Sequence, residues 1–224
     1  MTTALSQLRL LQIADSAFPT GAFAFSNGLE TLVEEGRVSD KASAKAFLLE
    51  QILPRWAAFD RVFLGQAHGL AGNMGALLVL DQRCHLQNTS PTLADASRRM
   101  GRAILSVHVR LGTVGAAEMR AALQDHAIGG CDPVVQGMIG AGLGLSADET
   151  AVGALHAMVA AYLSAAVRLG TLGAIEAQTL LSDAGPAMSD VLVSPIPDEA
   201  SAPAILAEIA SLRRDATRTA LFAT

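Results

Sequence analysis

Aromatic residues make up only 4% of this 224-residue chain, lysine occurs only at Lys41 and Lys45, and cysteine only at Cys84 and Cys131. Each scarcity narrows the reading. The cysteines lie far apart and form no C-x-x-C, so they read as buried thiols rather than a redox or metal motif. With two lysines, nearly all positive charge is arginine, the cation that interfaces favour because its planar fork pairs with carboxylates and stacks on rings. The formal net charge is −5 with a pI near 5.5. A nucleic-acid binder needs a basic stripe, which this balance opposes.

Long uninterrupted apolar runs are also missing. The most apolar region, Ala151–Leu181, is broken by His156, Arg168 and Glu176, so no stretch reaches the roughly 18 residues expected of a membrane span. The N-terminus lacks the ordered basic, apolar and cleavage regions of a secretory signal. The expectation is a cytoplasmic protein. Catalytic signatures are absent too: no G-x-x-x-x-G-K-[ST], no H-E-x-x-H, no G-x-S-x-G. The five histidines, His68, His85, His108, His126 and His156, fall on different expected helices, so no two of them form a ligand pair on one helix face.

What the chain has in quantity is apolar surface, 51% hydrophobic residues with a mean hydropathy of +0.38. That is enough for one sizeable core. It also suggests a large sticky face of the kind a permanent partner or an oligomer covers.

The periodicity is helical almost throughout. Asn27 and Glu30 form an N-x-x-E capping box for a helix from about 28 to 35, with Gly36 as its stop. Asp40 caps a helix ending at Leu53. Pro54 then opens another, with Trp56, Phe59, Phe63, Ala67 and Leu70 on one face. Further helices are expected from Asn73 to Leu86, from Ser90-Pro91 past Ile104 to Leu111, and over 115–127. Arg98, Arg99 and Arg102 lie opposite the apolar stripe of Leu93, Ala96, Met100, Ala103, Ile104, Val107 and Leu111. Pro133 opens a helix whose Gly137, Gly140, Gly142 and Gly144 point to close helix–helix packing, since no lysine stands nearby to make a phosphate loop. Ser146 and Glu149 form a capping box for the longest helix, 147–169, and another helix follows over 173–182. Residues 185–202 hold Pro186, Pro195 and Pro197 and read as a flexible linker. A last helix is expected over 204–216. The fold expected is all-α: a single helical-bundle domain of nine or ten helices over 1–184, with a flexible linker and short C-terminal helix or tail over 185–224.

Three of the few aromatics crowd into one segment. Residues 16–30 carry Phe18, Phe23 and Phe25 among Pro19, Gly21 and Gly28. Such a segment either plugs the core or faces a partner.

The same segment resembles the signature of the UreF family of urease accessory proteins, roughly S-x-x-[FL]-P-[TV]-G-[GAS]-[FY]-[AS]-[YFH]-S-x-G-L-E. From its [FL] position onward, Phe18, Pro19, Thr20, Gly21, Phe23, Phe25, Ser26, Gly28, Leu29 and Glu30 match it. The likeness continues through Glu34–Val38. It returns in the R-x-x-G-x-x-x-L of Arg98, Gly101 and Leu105, in residues 132–145, and in the A-x-V-R-L-G-x-L-G of residues 165–173. Two departures stand out. Asp132 occupies a position where many members carry His. In the tail, Ser211, Arg213, Leu221 and Phe222 fit, whereas Arg214, Asp215, Arg218 and Ala220 replace the family's His, Glu, Tyr and Arg.

The resemblance implies a dimeric, non-enzymatic scaffold. It would bind UreD (also called UreH) and the GTPase UreG, regulate the GTPase cycle, and help deliver nickel into apo-urease, with nickel and GTP handled by the partners and no cofactor of its own. Pro19, Gly21, Phe23, Ser26 and Glu30 would shape an N-terminal contact surface. Arg168 would be a polar anchor near the GTPase or dimer face, or would simply complement the C-terminal dipole of its own helix. Arg213 and Phe222 would anchor the tail on UreD/UreH. Neither nucleic acid nor membrane is expected as a partner. The alternatives are a diverged scaffold for another metalloenzyme, a helical metal-binding enzyme, or a membrane-surface protein. The last would need a basic amphipathic helix, which the sequence lacks.

Overall fold

The computed structural model describes residues 3–15, 17–19, 28–124 and 129–214. Among them the chain is helical with no strand. In chain order the elements are α1 (Ala4–Ala14), α2 (Leu29–Glu34), α3 (Lys41–Phe47), α4 (Leu53–Arg55), α5 (Arg61–Gly69), α6 (Met74–Gln87), α7 (Pro91–Arg110), α8 (Ala116–Ala122), α9 (Asp132–Gly142), α10 (Ala147–Arg168), α11 (Ala174–Val193) and α12 (Ile205–Arg214). Between α3, α4 and α5 the backbone does not break. π-helical turns at Leu48–Ile52 and Trp56–Asp60 join the three into one rod.

Local polar chemistry starts several of these helices. Asp40 accepts from the Ser43 amide at 2.8 Å, Ser90 from Leu93 at 3.4 Å, Asn73 from Ala76 at 3.1 Å and Ser146 from Glu149 at 3.1 Å. Each side chain satisfies one of the orphan amides of a first turn. Glu149 closes its capping box by accepting from the Ser146 amide at 2.8 Å.

Three expectations are corrected. The helix expected to stop before Pro54 runs straight through it. Proline lacks an amide donor and crowds the carbonyl four residues back. The wider π turn ending at Leu53 pairs that residue's amide with Leu48 O, five residues back, and so absorbs the misfit. The helix expected to end at Ser182 continues past Pro186 to Val193, so the first half of the expected linker is helical. Arg61, only 5% exposed, fixes that end. Its guanidinium donates to the carbonyls of Val191 and Ser194 at 2.6 and 3.0 Å, and to Leu192 O. A cation is thereby placed on the negative end of the helix dipole. Finally, the N-cap of α2 is Gly28, at φ +82°, rather than Asn27, which lies outside the described residues.

The rod threads two apolar clusters. Its first half, with α2, α10, α11 and α12, buries Leu29, Leu48, Trp56, Leu155, Tyr162 and Leu180. Its second half, with α6, α7, α8 and α9, buries Phe59, Phe63, Leu77, Leu105, Met119 and Val134. Each fully buried large side chain contributes roughly 1.5–3 kcal/mol relative to exposure. α10 is long and apolar enough to cross a membrane by length and composition, but more than half of its apolar window is buried against the rest of the protein.

α9 is the hub of the second cluster, and its glycines explain how. A Cβ on Gly137 would lie 2.2 Å from the Leu64 carbonyl oxygen of α5, and one on Gly140 2.2 Å from Thr150 Oγ1 of α10. Only hydrogen fits at either contact, so the small-residue helix serves close packing.

Candidate functional site

The aromatic signature begins where α1 ends. The amide of Phe18 donates to Asp15 O at 3.0 Å and that of Ala17 to Asp15 Oδ1 at 2.7 Å, turning the chain inward. Phe18 is buried with its ring 5.3 Å from the His108 imidazole, whereas Pro19 is exposed. Of the other signature residues expected to shape a contact surface, Gly21, Phe23 and Ser26 lie outside the described residues. Glu30, in the first turn of α2, is 1% exposed within this chain.

The signature's last glycine meets the C-terminal helix. A Cβ on Gly28 would lie 2.7 Å from Ala207 O and 3.0 Å from Ala210 Cβ, so α12 seats directly on the start of α2. Polar contacts hold it there. Leu206 N donates to Gln51 Oε1 at 3.2 Å, and Thr89 Oγ1 to Glu208 Oε2 at 2.6 Å. Arg213 pairs with Glu35 at 3.2 Å although its side chain is 57% exposed. The outer face of α12 shows Ile205, Ile209 and Leu212, spaced i, i+4 and i+7 and all exposed. The structure therefore brings Glu30 and Arg213 to neighbouring helices. Arg168 is the exposed last residue of α10, on a separate element. Phe222 lies outside the described residues.

Between the rod, α1, α7, α9 and α10 lies a cavity of about 150 Å³. Its lining combines the apolar Trp56, Leu93, Ile104 and Met158 with a polar wall in which Arg55, Asp60, Asp132 and Gln136 interact in turn. Arg55 donates to Asp60 at 2.8 Å and lies over the Phe59 ring at 4.9 Å. Burial raises the Asp60 carboxyl above its ordinary range, against the pull of Arg55. Asp132 Oδ2 accepts from Gln136 Nε2 at 2.7 Å. Burial lifts this carboxyl to about 7, helped by the Asp60 charge. Burial pushes His108 down to about 4, so it is a neutral ring at neutral pH.

Among the described residues, the histidines and thiols do not combine into a reactive set. Cys84 and Cys131 are buried and free, and burial raises the Cys84 thiol well above its ordinary value, which suppresses the reactive thiolate. Beside them, Asp81 accepts from the amides of Gly130 and Cys131, both at 2.7 Å, and ties the start of α9 to α6. Among the described residues, no three His, Cys, Asp or Glu side chains gather as a metal set. The cavity's polar wall escaped sequence reasoning because two elements far apart in sequence, the rod and α9, build it. Its one local trace was Asp132 and Gln136, four residues apart on one helix face.

Comparison with known proteins gives a consistent result. The family model described as UreF matches residues 38–185. The chain is 33% identical over 181 residues to the urease accessory protein UreF of Trichodesmium erythraeum, covering 78% of this chain and 77% of that protein. It is 32% identical over 222 residues to the UreF of Cereibacter sphaeroides strain ATCC 17023, covering 97% and 98%. It is also 32% identical over 237 residues to that of Rhodopseudomonas palustris, covering 97% and 93%. The latter two alignments take in the signature segment and the C-terminal helix, which lie largely outside the family-model span.

Proposed function

The chain belongs to the UreF family of urease accessory proteins, and from that premise we propose that it is a cytoplasmic, non-enzymatic scaffold for urease maturation. In this reading it forms a homodimer, assembles with UreD/UreH and the GTPase UreG, regulates the GTPase cycle, and so supports nickel delivery into apo-urease. Nickel and nucleotide are cargo and ligand of the partners.

The observation that carries the reading is near full-length likeness to UreF proteins on an all-helical frame. The seat of α12 on Gly28 supports a more detailed version. It joins the last glycine of the signature segment to the C-terminal helix. The exposed row of Ile205, Ile209 and Leu212 on that helix has the spacing of an amphipathic docking face.

The test is co-expression of the tagged chain with its cognate UreD/UreH and UreG. Recovery of a stable complex is expected, with Ile209→Asp and Leu212→Asp together removing UreD/UreH while the circular dichroism spectrum stays helical. Full recovery of UreD/UreH with that double variant would remove α12 from the docking surface. Failure of the unaltered chain to retain either partner would remove the scaffold reading and leave a helper of another metalloenzyme.

A further inference from the structure

The polar wall of the central cavity contains a group that the scaffold reading does not use. Asp132 opens α9, and its carboxylate is held from one side only. Oδ2 accepts from Gln136 and the residue's own amide donates to Ser97 Oγ at 3.0 Å, but no donor in the described chain reaches the buried Oδ1. A buried carboxylate oxygen without a donor disfavours the ionised state.

The neighbouring groups are mostly of the wrong kind to relieve it. The rod contributes Asp60, already paired with Arg55, and the turn after α1 contributes Asp15. α7 contributes His108, whose Nδ1 is 2.9 Å from Thr113 Oγ1, and α10 contributes Thr150 and Tyr162, whose hydroxyls donate to Ser146 O and Ala44 O, each at 2.8 Å. Arg55 is the cation in this wall, and Asp60 competes for it. The start of α9 offers some compensation through its dipole. A second ionised carboxylate beside Asp60 nevertheless finds no donor for its Oδ1 among the described residues.

We propose that Asp132 is a proton switch in the cavity wall: protonated, it suits the donor-poor surroundings of Oδ1, and ionised, it loosens the seat of the first turn of α9. The switch works near neutrality, because burial places this carboxyl at about 7. The sign follows from linkage. The folded value lies above the ordinary 3.8, so folding binds the proton. The penalty for ionisation is absent below the unfolded value, develops as pH rises, and is complete above the folded value. His108 titrates in the opposite sense at lower pH, so the test reads differences between variants rather than one curve.

The experiment compares melting temperatures of the full chain and Asp132→Asn from about pH 5 to about pH 8, alongside hydrogen exchange of residues 132–136 corrected for intrinsic rate. The variant's advantage is expected to grow with pH and level off at the upper end. Exchange in the first turn of α9 should accelerate with pH in the native chain only. A pH-independent difference, or an exchange profile shared by both, overturns the proposal. If Asp132→Asn does not fold, Asp60→Asn serves with a carboxyl-carbon NMR titration of aspartates. The near-neutral midpoint should move to lower pH, and an unmoved midpoint overturns the proposal. The inference concerns this chain alone, so its failure would leave the scaffold reading standing, and the reverse.

Discussion

His108 shows how burial turns one side chain into a condition on the whole fold. It is 2% exposed, stands against Phe18, and uses Nδ1 on Thr113. Its folded value is depressed from 6.5 to about 4 by burial. The stability tied to the neutral ring is fully present above the unfolded value and is lost as pH falls through the window down to the folded one. A shift of this size corresponds to up to about 3 kcal/mol when titration is complete. Denaturant midpoints of the native chain should therefore fall between about pH 6.5 and about pH 4 more steeply than those of His108→Asn. Parallel curves would show that the ring is not the group responsible. None of this was legible in the sequence. Of the apolar stripe read there for α7, Leu93, Ala96 and Ile104 are buried, but Met100 and Val107 are half-buried and Leu111 is exposed, and the buried face takes in Gly101, Leu105 and His108 instead. The buried face widens toward Gly101, where a Cβ would lie 2.2 Å from Gly130 O. The chain leading into α9 crosses at the one position without a side chain.

Element boundaries divide into those set locally and those set at a distance. The starts at Asp40, Asn73, Ser90 and Ser146 were readable because the capping group lies within three residues of the amide it serves. α1 was not read as a helix. Its Thr3 and Ser6 do form a capping box, but Leu5, Leu8 and Leu11 face outward and leave no single apolar face to recognise. The end of α11 was out of reach for another reason: Arg61, which fixes it, lies 130 residues away from Val191 in sequence. Replacing Arg61 with Met keeps bulk and removes the donors. Hydrogen bonds to a charged group contribute about 1.5–3 kcal/mol each before relaxation. The variant should lose thermal stability and should exchange amide hydrogens faster over 187–194 than elsewhere in α11. Unchanged protection there would mean that helix propensity, despite Pro186, carries the segment alone.

At the scale of the molecule, two apolar clusters share one rod, and the rod is continuous because π turns let the chain pass Pro54. The fold class was legible because helical periodicity, caps and glycine stops agreed along the chain. The site was legible only in part. The signature segment and the tail could be named from sequence, but the contact of Gly28 with α12 joins positions nearly 180 residues apart, as do Glu35 and Arg213, separated by 178. No local pattern encodes that pairing. It places a family signature beside a helix whose outer face is apolar, on a chain whose relatives are urease accessory proteins.

The most direct test is urease activity in cells carrying the cognate operon, with nickel supplied and this gene present, deleted or restored. Deletion is expected to abolish activity while urease subunit levels stay normal, and restoring the gene to recover it. Full activity without the gene would contradict the maturation role.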